Sequence, residues 1–337
     1  MWGRRRTAAL GTAAVLFAAA LSAAGQERSH VVTAAGTPAP KAYVITHNGR
    51  VQVLDTTDGR VVATANTGAW TTGAAVGPGG RRVYVVNGWA GVITAVDPVA
   101  GKVVGRIDAR ARLAQAVLRP DGKRLYVTGS GAVAVVDPVT FRLVAAIRAG
   151  GQPQGIAVTP NGRRLYVANA QDGTISVLDT ETASPRTTID VEGMPQHVAV
   201  SPDGEAVYVS SLDLGEGSGT VSMIDPRTDE LRWSTPVGKG AGSIAVTPDG
   251  RRVYIALNRR VAVLDTTTRV AKTLRLKAKA LAIAPGDRRV FLSSGNTATV
   301  LDSADNRVLN TFQLSALDND GRGLTATAIA FEPLDPS

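Results

Sequence analysis

An aromatic residue inside a short apolar run recurs seven times, at Tyr43, Tyr84, Tyr126, Tyr166, Tyr208, Tyr254 and Phe291, with intervals of 41, 42, 40, 42, 46 and 37 residues. A second apolar alternation follows each one and ends in an aspartate: Asp55, Asp97, Asp137, Asp179, Asp225, Asp265 and Asp302. Proline turns (GPGG, RPDG, TPNG, SPDG, TPDG, APGD) precede most of the aromatic runs, and a further one, EPLD, lies near the C-terminus. A period near forty carrying only strand signals excludes a helical solenoid. It requires a radial or stacked β array.

Each repeat holds four strand-like segments, which in the fourth repeat are 155–159, 164–169, 174–179 and 186–190. Seven such units predict an all-β fold, a seven-bladed β-propeller of four-stranded antiparallel blades. The aspartate closing each third strand is a turn device, its side chain bonding nearby amides. Ala75, Ala157, Ala199, Ala245, Ala282 and Ala330 share one inner-strand position, with Val117 the exception. Small residues there are expected to suit crowding at the axis. The first repeat starts at a second strand, 41–46, and the chain ends on a first strand, 326–331. The C-terminal strand is therefore expected to complete the first blade and remove two open sheet edges.

The motifs YVAN at 166–169, ISVLD at 175–179 and IAVTPNG at 156–162 resemble the YVTN-repeat (YncE-like) family of seven-bladed propellers, with echoes in all seven repeats. The departures are GSGAVAVVD, whose loop after the second strand is short, and a degenerate last repeat with FLSS. The resemblance implies the fold. Its members serve as surface-layer components, a DNA-binding exported protein and distant quinone- or haem-bearing enzymes, so activity must be argued from sites.

Residues 1–24 carry Arg4, Arg5 and Arg6, then an apolar stretch, then small residues, the order of a secretory signal. Cleavage is expected after Ala24, with a retained anchor as the alternative, and the arginines permit Sec or twin-arginine export. Residues 25–40, small, polar and proline-punctuated, read as a flexible linker, and 41–337 as the propeller. The net charge of +9 falls to +6 once the three signal arginines are removed. That sign favours polyanionic partners such as nucleic acid or an anionic wall polymer. With no cysteine there is no disulfide, thiolate metal site or cysteine nucleophile.

The strand order puts the loops from second to third strand, and from outer strand to the next blade, at one end, here called the top. The proline and aspartate turns lie at the bottom. Top loops vary most between repeats and are the expected place for function. His197 opens an inner strand beside Gln196, with Gln115 and Gln154 at or next to the equivalent position, a candidate polar ring at the channel mouth. Trp70 and Trp89 in neighbouring top loops are a candidate stacking platform. Arg275, Lys277 and Lys279, in the cationic segment RVAKTLRLKAKA at 269–280, are expected on an outer strand pointing to solvent. The doublets Arg81–Arg82, Lys123–Arg124, Arg163–Arg164, Arg251–Arg252 and Arg288–Arg289 are expected to face the aspartates of their own blades, Arg164 beside Asp179. Surplus charge would be left for a basic ring.

Neither a cofactor nor a metal site is indicated. The first expectation is a monomeric, non-enzymatic, exported binding or scaffold protein of the cell envelope or extracellular space, with a polyanion or a protein as partner. The alternative is a propeller lactonase or lyase working through His197.

Overall fold

The second and third strands of each repeat are apolar at nearly every position, so both of their faces must be covered. Stacking blades around an axis achieves this. The computed structural model describes residues 41–46, 48–56, 60–68, 70–258, 260–283, 288–295, 297–313 and 326–330. These form seven four-stranded antiparallel sheets and one short 3-10 turn, Pro78–Gly80. The fold is an all-β seven-bladed propeller. The signal and linker segments, His30, His47 and the loop at 317–323 lie outside the described residues. No helix among the described residues is long and apolar enough to cross a membrane.

The fourth blade shows the plan, with strands Pro153–Val158, Arg164–Asn169, Thr174–Asp179 and Ser184–Asp190 running from the axis outward. Its second strand is buried from Leu165 to Asn169, whereas its outer strand buries only Ile189. Tyr166, Ala168, Ile175 and Val177 pack against Val198, Val207, Val209 and Ile224 of the fifth blade. Each buried valine or isoleucine among them contributes roughly 1.5–3 kcal/mol. Inter-blade packing therefore holds the ring.

The ring closes as expected. Ala326–Ala330 pairs antiparallel with Lys41–Thr46, Tyr43 opposite Ala330 and Val44 opposite Ile329. The last strand of the chain is thus the innermost strand of the first blade.

The repeated alanine has a cause besides its place near the axis. Ala75, Val117, Ala157, Ala199, Ala245, Ala282 and Ala330 are the register partners of the seven aromatics, from Ala75 opposite Tyr84 to Ala282 opposite Phe291. Directly paired residues project to the same side of a sheet, so a small residue leaves room for the ring beside it. A close approach of neighbouring inner strands falls two residues before Ala157. A Cβ on Gly155 would stand 2.6 Å from His197 Cα and 2.7 Å from the Gln196 carbonyl oxygen.

The phenol groups reach into the next blade. Tyr84 donates to the Pro138 carbonyl at 3.3 Å, Tyr166 to Asp229 at 2.9 Å and Tyr254 to Asn306 at 2.6 Å. The arginine doublets keep only part of their expected pairing. Arg82 meets Asp97 at 3.4 Å and Arg124 meets Asp137 at 3.7 Å. Arg164 is in register with Asp179, yet its guanidinium turns to Asp229 of the fifth blade at 3.2 Å and to the Pro226 carbonyl. The reason is burial: the Asp229 side chain is only 6% exposed and also receives Arg186 at 2.9 Å. Asp179 is occupied by its own turn, accepting the Glu181 and Thr182 amides. Arg252 likewise turns to the next blade, donating to the Ser303 carbonyl.

The closing aspartates act as turn devices throughout. Asp97, Asp137, Asp179 and Asp265 each accept two backbone N–H groups at 2.8–3.0 Å. The amide of the third residue along (Ala100, Thr140, Thr182, Thr268) is the chief cause of carboxyl pKa values below the usual range.

Candidate functional site

At the top, the inner strands of the second to fifth blades all lose register with their partners. The breaks fall between Thr71 and Gly73, Leu113 and Ala116, Pro153 and Ile156, and Pro195 and His197. Bulges of this kind re-aim side chains, and these carry Thr72, Gln115, Gln154 and Gln196. The flared ends border a depression of about 1020 Å³, whose lining includes Trp89, Arg112, Gln115, Gln152, Gln154, Gln171 and His197. Below it a channel cavity of about 390 Å³ runs along the axis, shared through Gln115 and His197 and lined also by Lys279.

The glycines explain how Gln115 reaches His197. The register position occupied by Gln115 in the third blade and His197 in the fifth holds Gly155 in the fourth. With no side chain there, the Gln115 amide nitrogen spans the fourth blade to His197 Nδ1 at 2.8 Å. An amide donor on Nδ1 leaves the ring proton on Nε2. Nε2 makes no hydrogen bond among the described residues. Burial pushes the imidazole pKa down to about 4 although one side of the ring lines the channel, so at neutral pH the group is uncharged.

The expected polar ring is therefore a bridge and a pocket wall. Gln115 and His197 form the bridge, and Gln154 lines the depression. Gln196 turns back to the Met194 carbonyl at 3.4 Å and does not join them. Trp89, 63% exposed, lines the depression, and the Arg112 guanidinium lies 4.1 Å from its ring centroid. Trp70, 55% exposed, is not among the lining residues, although its carbonyl accepts the Gly88 amide at 3.1 Å.

The cationic segment needs correction. The outer strand of the sixth blade ends at Leu274, so Arg275 and Lys277 lie exposed in the connection to the seventh blade. Leu274 and Leu276 pack inward as the alternation implied. Lys279 directly precedes the inner strand Ala280–Ile283 and lines the channel. The error was one of strand length: the outer strand of this blade has four residues where those of the second to fourth have seven.

Sequence reasoning missed Arg112, Gln152 and Gln171. Gln152 and Ser130, both in the lining, have φ of 53° and 32°. Five other non-glycine residues with positive φ occupy one repeated place, four residues after the closing aspartate (Phe141, Ala183, Asp229, Arg269, Asn306). There the backbone follows the turn. Ser130 and Gly131 are the two central residues of the hairpin turn between the paired Gly129 and Ala132, where positive φ is required, and Gln152 stands, like Trp70 with φ of 66°, directly before an inner strand.

A family model described as "Outer membrane protein assembly factor BamB" matches residues 89–243 and 217–332. The chain belongs to that family. Among solved structures, this BamB-family propeller is similar to hydrazine synthase from Kuenenia stuttgartiensis, at 20% identity over 79% of this chain and 90% of that one, with a TM-score of 0.67. It is also similar to a functionally unknown protein from Desulfotomaculum acetoxidans DSM 771, at 16% identity over 86% of this chain and 99% of that one, with a TM-score of 0.67. At such identities these likenesses show the fold alone. No curated protein matches significantly.

Proposed function

We propose that the chain is an exported, non-enzymatic binding or scaffold propeller of the cell envelope or extracellular space, of the YVTN-repeat kind within the wider family, and that it takes its ligand at the top. One observation carries this reading. The depression of about 1020 Å³ gathers an exposed tryptophan, four glutamine amides and a guanidinium at the place where four inner strands bulge. Pockets of roughly 300–1,000 Å³ with a few convergent polar groups are ordinary ligand sites. The secretory pattern of residues 1–24 and the family's description agree with an envelope setting.

The lactonase or lyase alternative draws on His197, a neutral imidazole beside the channel. A base whose pKa lies near 4 is poorly matched to chemistry at pH 7. Its one hydrogen-bond partner among the described residues is Gln115 rather than an orienting carboxylate. Binding is the stronger reading.

The test compares faces. Wild type, a top variant (Trp89→Ala with Gln154→Ala) and a bottom variant (Arg163→Gln with Arg251→Gln) are passed over immobilised neutral and acidic oligosaccharides, teichoic acid and single-stranded DNA. Retention lost only in the top variant supports the reading. Retention lost only in the bottom variant, or no retention of any probe by wild type, overturns it.

A further inference from the structure

The lining of the depression has a definite chemical character. Its one charged side chain is Arg112, that of the channel below is Lys279, and no carboxylate lines either cavity among the described residues. Neither cation forms an ion pair with a described residue. Asp172, next to the rim, accepts the Gly151 amide at 2.6 Å and keeps its charge, so a bound carboxylate must lie on the Arg112 side of the depression. Arg112 is instead held over Trp89, and a guanidinium in that position keeps N–H donors for a planar anion.

The amides carry the second clue. The side chains of Gln152, Gln154 and Gln171 make no hydrogen bond among the described residues, although all three line one cavity. A primary amide both donates and accepts, as does a sugar hydroxyl. Trp89 retains most of its surface even with Arg112 against it, which leaves indole for the C–H face of a pyranose ring.

Resting on the top-face reading, we propose that the depression binds a carboxylate-bearing sugar chain, with one ring on Trp89, its carboxylate on Arg112 and its hydroxyls on Gln152, Gln154 and Gln171. The volume admits more than a single ring. A single-stranded nucleic acid would require a row of cations following its backbone, whereas this rim supplies one. An extended peptide binds by adding a strand to an open sheet edge, whereas this rim consists of the turns at 88–91, 129–131 and 150–152. Lys279, deeper on the axis, extends the positive field toward the second cavity.

The experiment is calorimetric titration of the folded protein with trisaccharides of galacturonate, glucuronate and mannuronate, each as free acid and as methyl ester, with oligo-dT and a carboxyl-terminated peptide in parallel. The free acid of at least one sugar should bind tenfold or more tighter than its ester. Arg112→Gln should remove that preference by weakening the acid about ten- to hundredfold, as expected for a charge-assisted pair. Trp89→Ala should weaken acid and ester alike, and Arg275→Gln with Lys277→Gln should change neither. Equal affinity for acid and ester, with loss of both in Trp89→Ala, overturns the carboxylate inference while leaving the top face as the site. Binding of oligo-dT or the peptide through Arg112 without any uronate binding overturns the sugar class. No saturable uronate binding by wild type overturns the inference outright.

Discussion

Replacing Asp229 with asparagine should loosen the contact between the fourth and fifth blades more than any comparable change at Asp179. Asp229 is nearly buried and accepts from Tyr166 at 2.9 Å, Arg164 at 3.2 Å and Arg186 at 2.9 Å. Its φ is 57°, a conformation asparagine tolerates, so the substitution removes charge without adding backbone strain. Hydrogen bonds to a charged group contribute about 1.5–3 kcal/mol when buried. Here the estimate must be reduced, because Arg164 and Arg186 are 26% and 49% exposed. A net loss of about 2 kcal/mol remains, a fall in Tm of about 4 °C for a chain of this size. Thermal unfolding followed by circular dichroism gives the single values. Double-mutant cycles with Arg164→Gln then give the coupling, about 1 kcal/mol to Asp229 and near zero to Asp179. Stronger coupling of Arg164 to Asp179 would refute the reasoning.

Removing residues 325–337 should expose the inner edge of Lys41–Thr46 and cause aggregation or a large fall in Tm, read by light scattering and melting; a monomer with wild-type Tm would contradict closure by Ala326–Ala330. Gly155→Ala should cost roughly 1–3 kcal/mol by overpacking. Gly77→Ala, whose Cβ would meet nothing closer than 3.5 Å, should be near neutral in the same melts. The His197 pKa is about 4 in the fold against 6.5 in the free side chain, so its stabilising contribution is complete above pH 6.5 and is lost as pH falls toward 4. The loss is up to about 3 kcal/mol and should vanish in His197→Gln. Below pH 3.8 the turn aspartates, whose pKa values are lowered by folding, should continue the decline. Intact-mass analysis of secreted protein should show residues 1–24 missing; a full-length, membrane-retained chain would contradict cleavage.

The blade plan was legible because it repeats. Aromatic, aspartate and proline turn recur with the period of one blade, and the offset of the first and last strands specifies how the ring closes. Non-local contacts were not legible. Arg164 and Asp179 are register partners, so a cross-strand rule pairs them, but burial at Asp229, 65 positions further on, wins the guanidinium. The alanine position was legible, but its register with Tyr166 or Tyr208 appears only when the strands are paired. At the site, Trp89, Gln115, Gln154 and His197 stood out by type and place. Gln152, Gln171 and Arg112 did not, because the pocket depends on inner-strand bulges that leave no mark in apolar periodicity. Lys279 was assigned to an outer strand because one outer strand is shorter than its counterparts.

Amide hydrogen exchange, mapped with and without saturating uronate trisaccharide, tests most directly whether the top depression is the place of binding. Slowed exchange is predicted at 88–91, 129–131 and 150–154, with the bottom turns at 160–163 and 248–251 unchanged. Protection confined to those bottom turns, or none on either face, would contradict it.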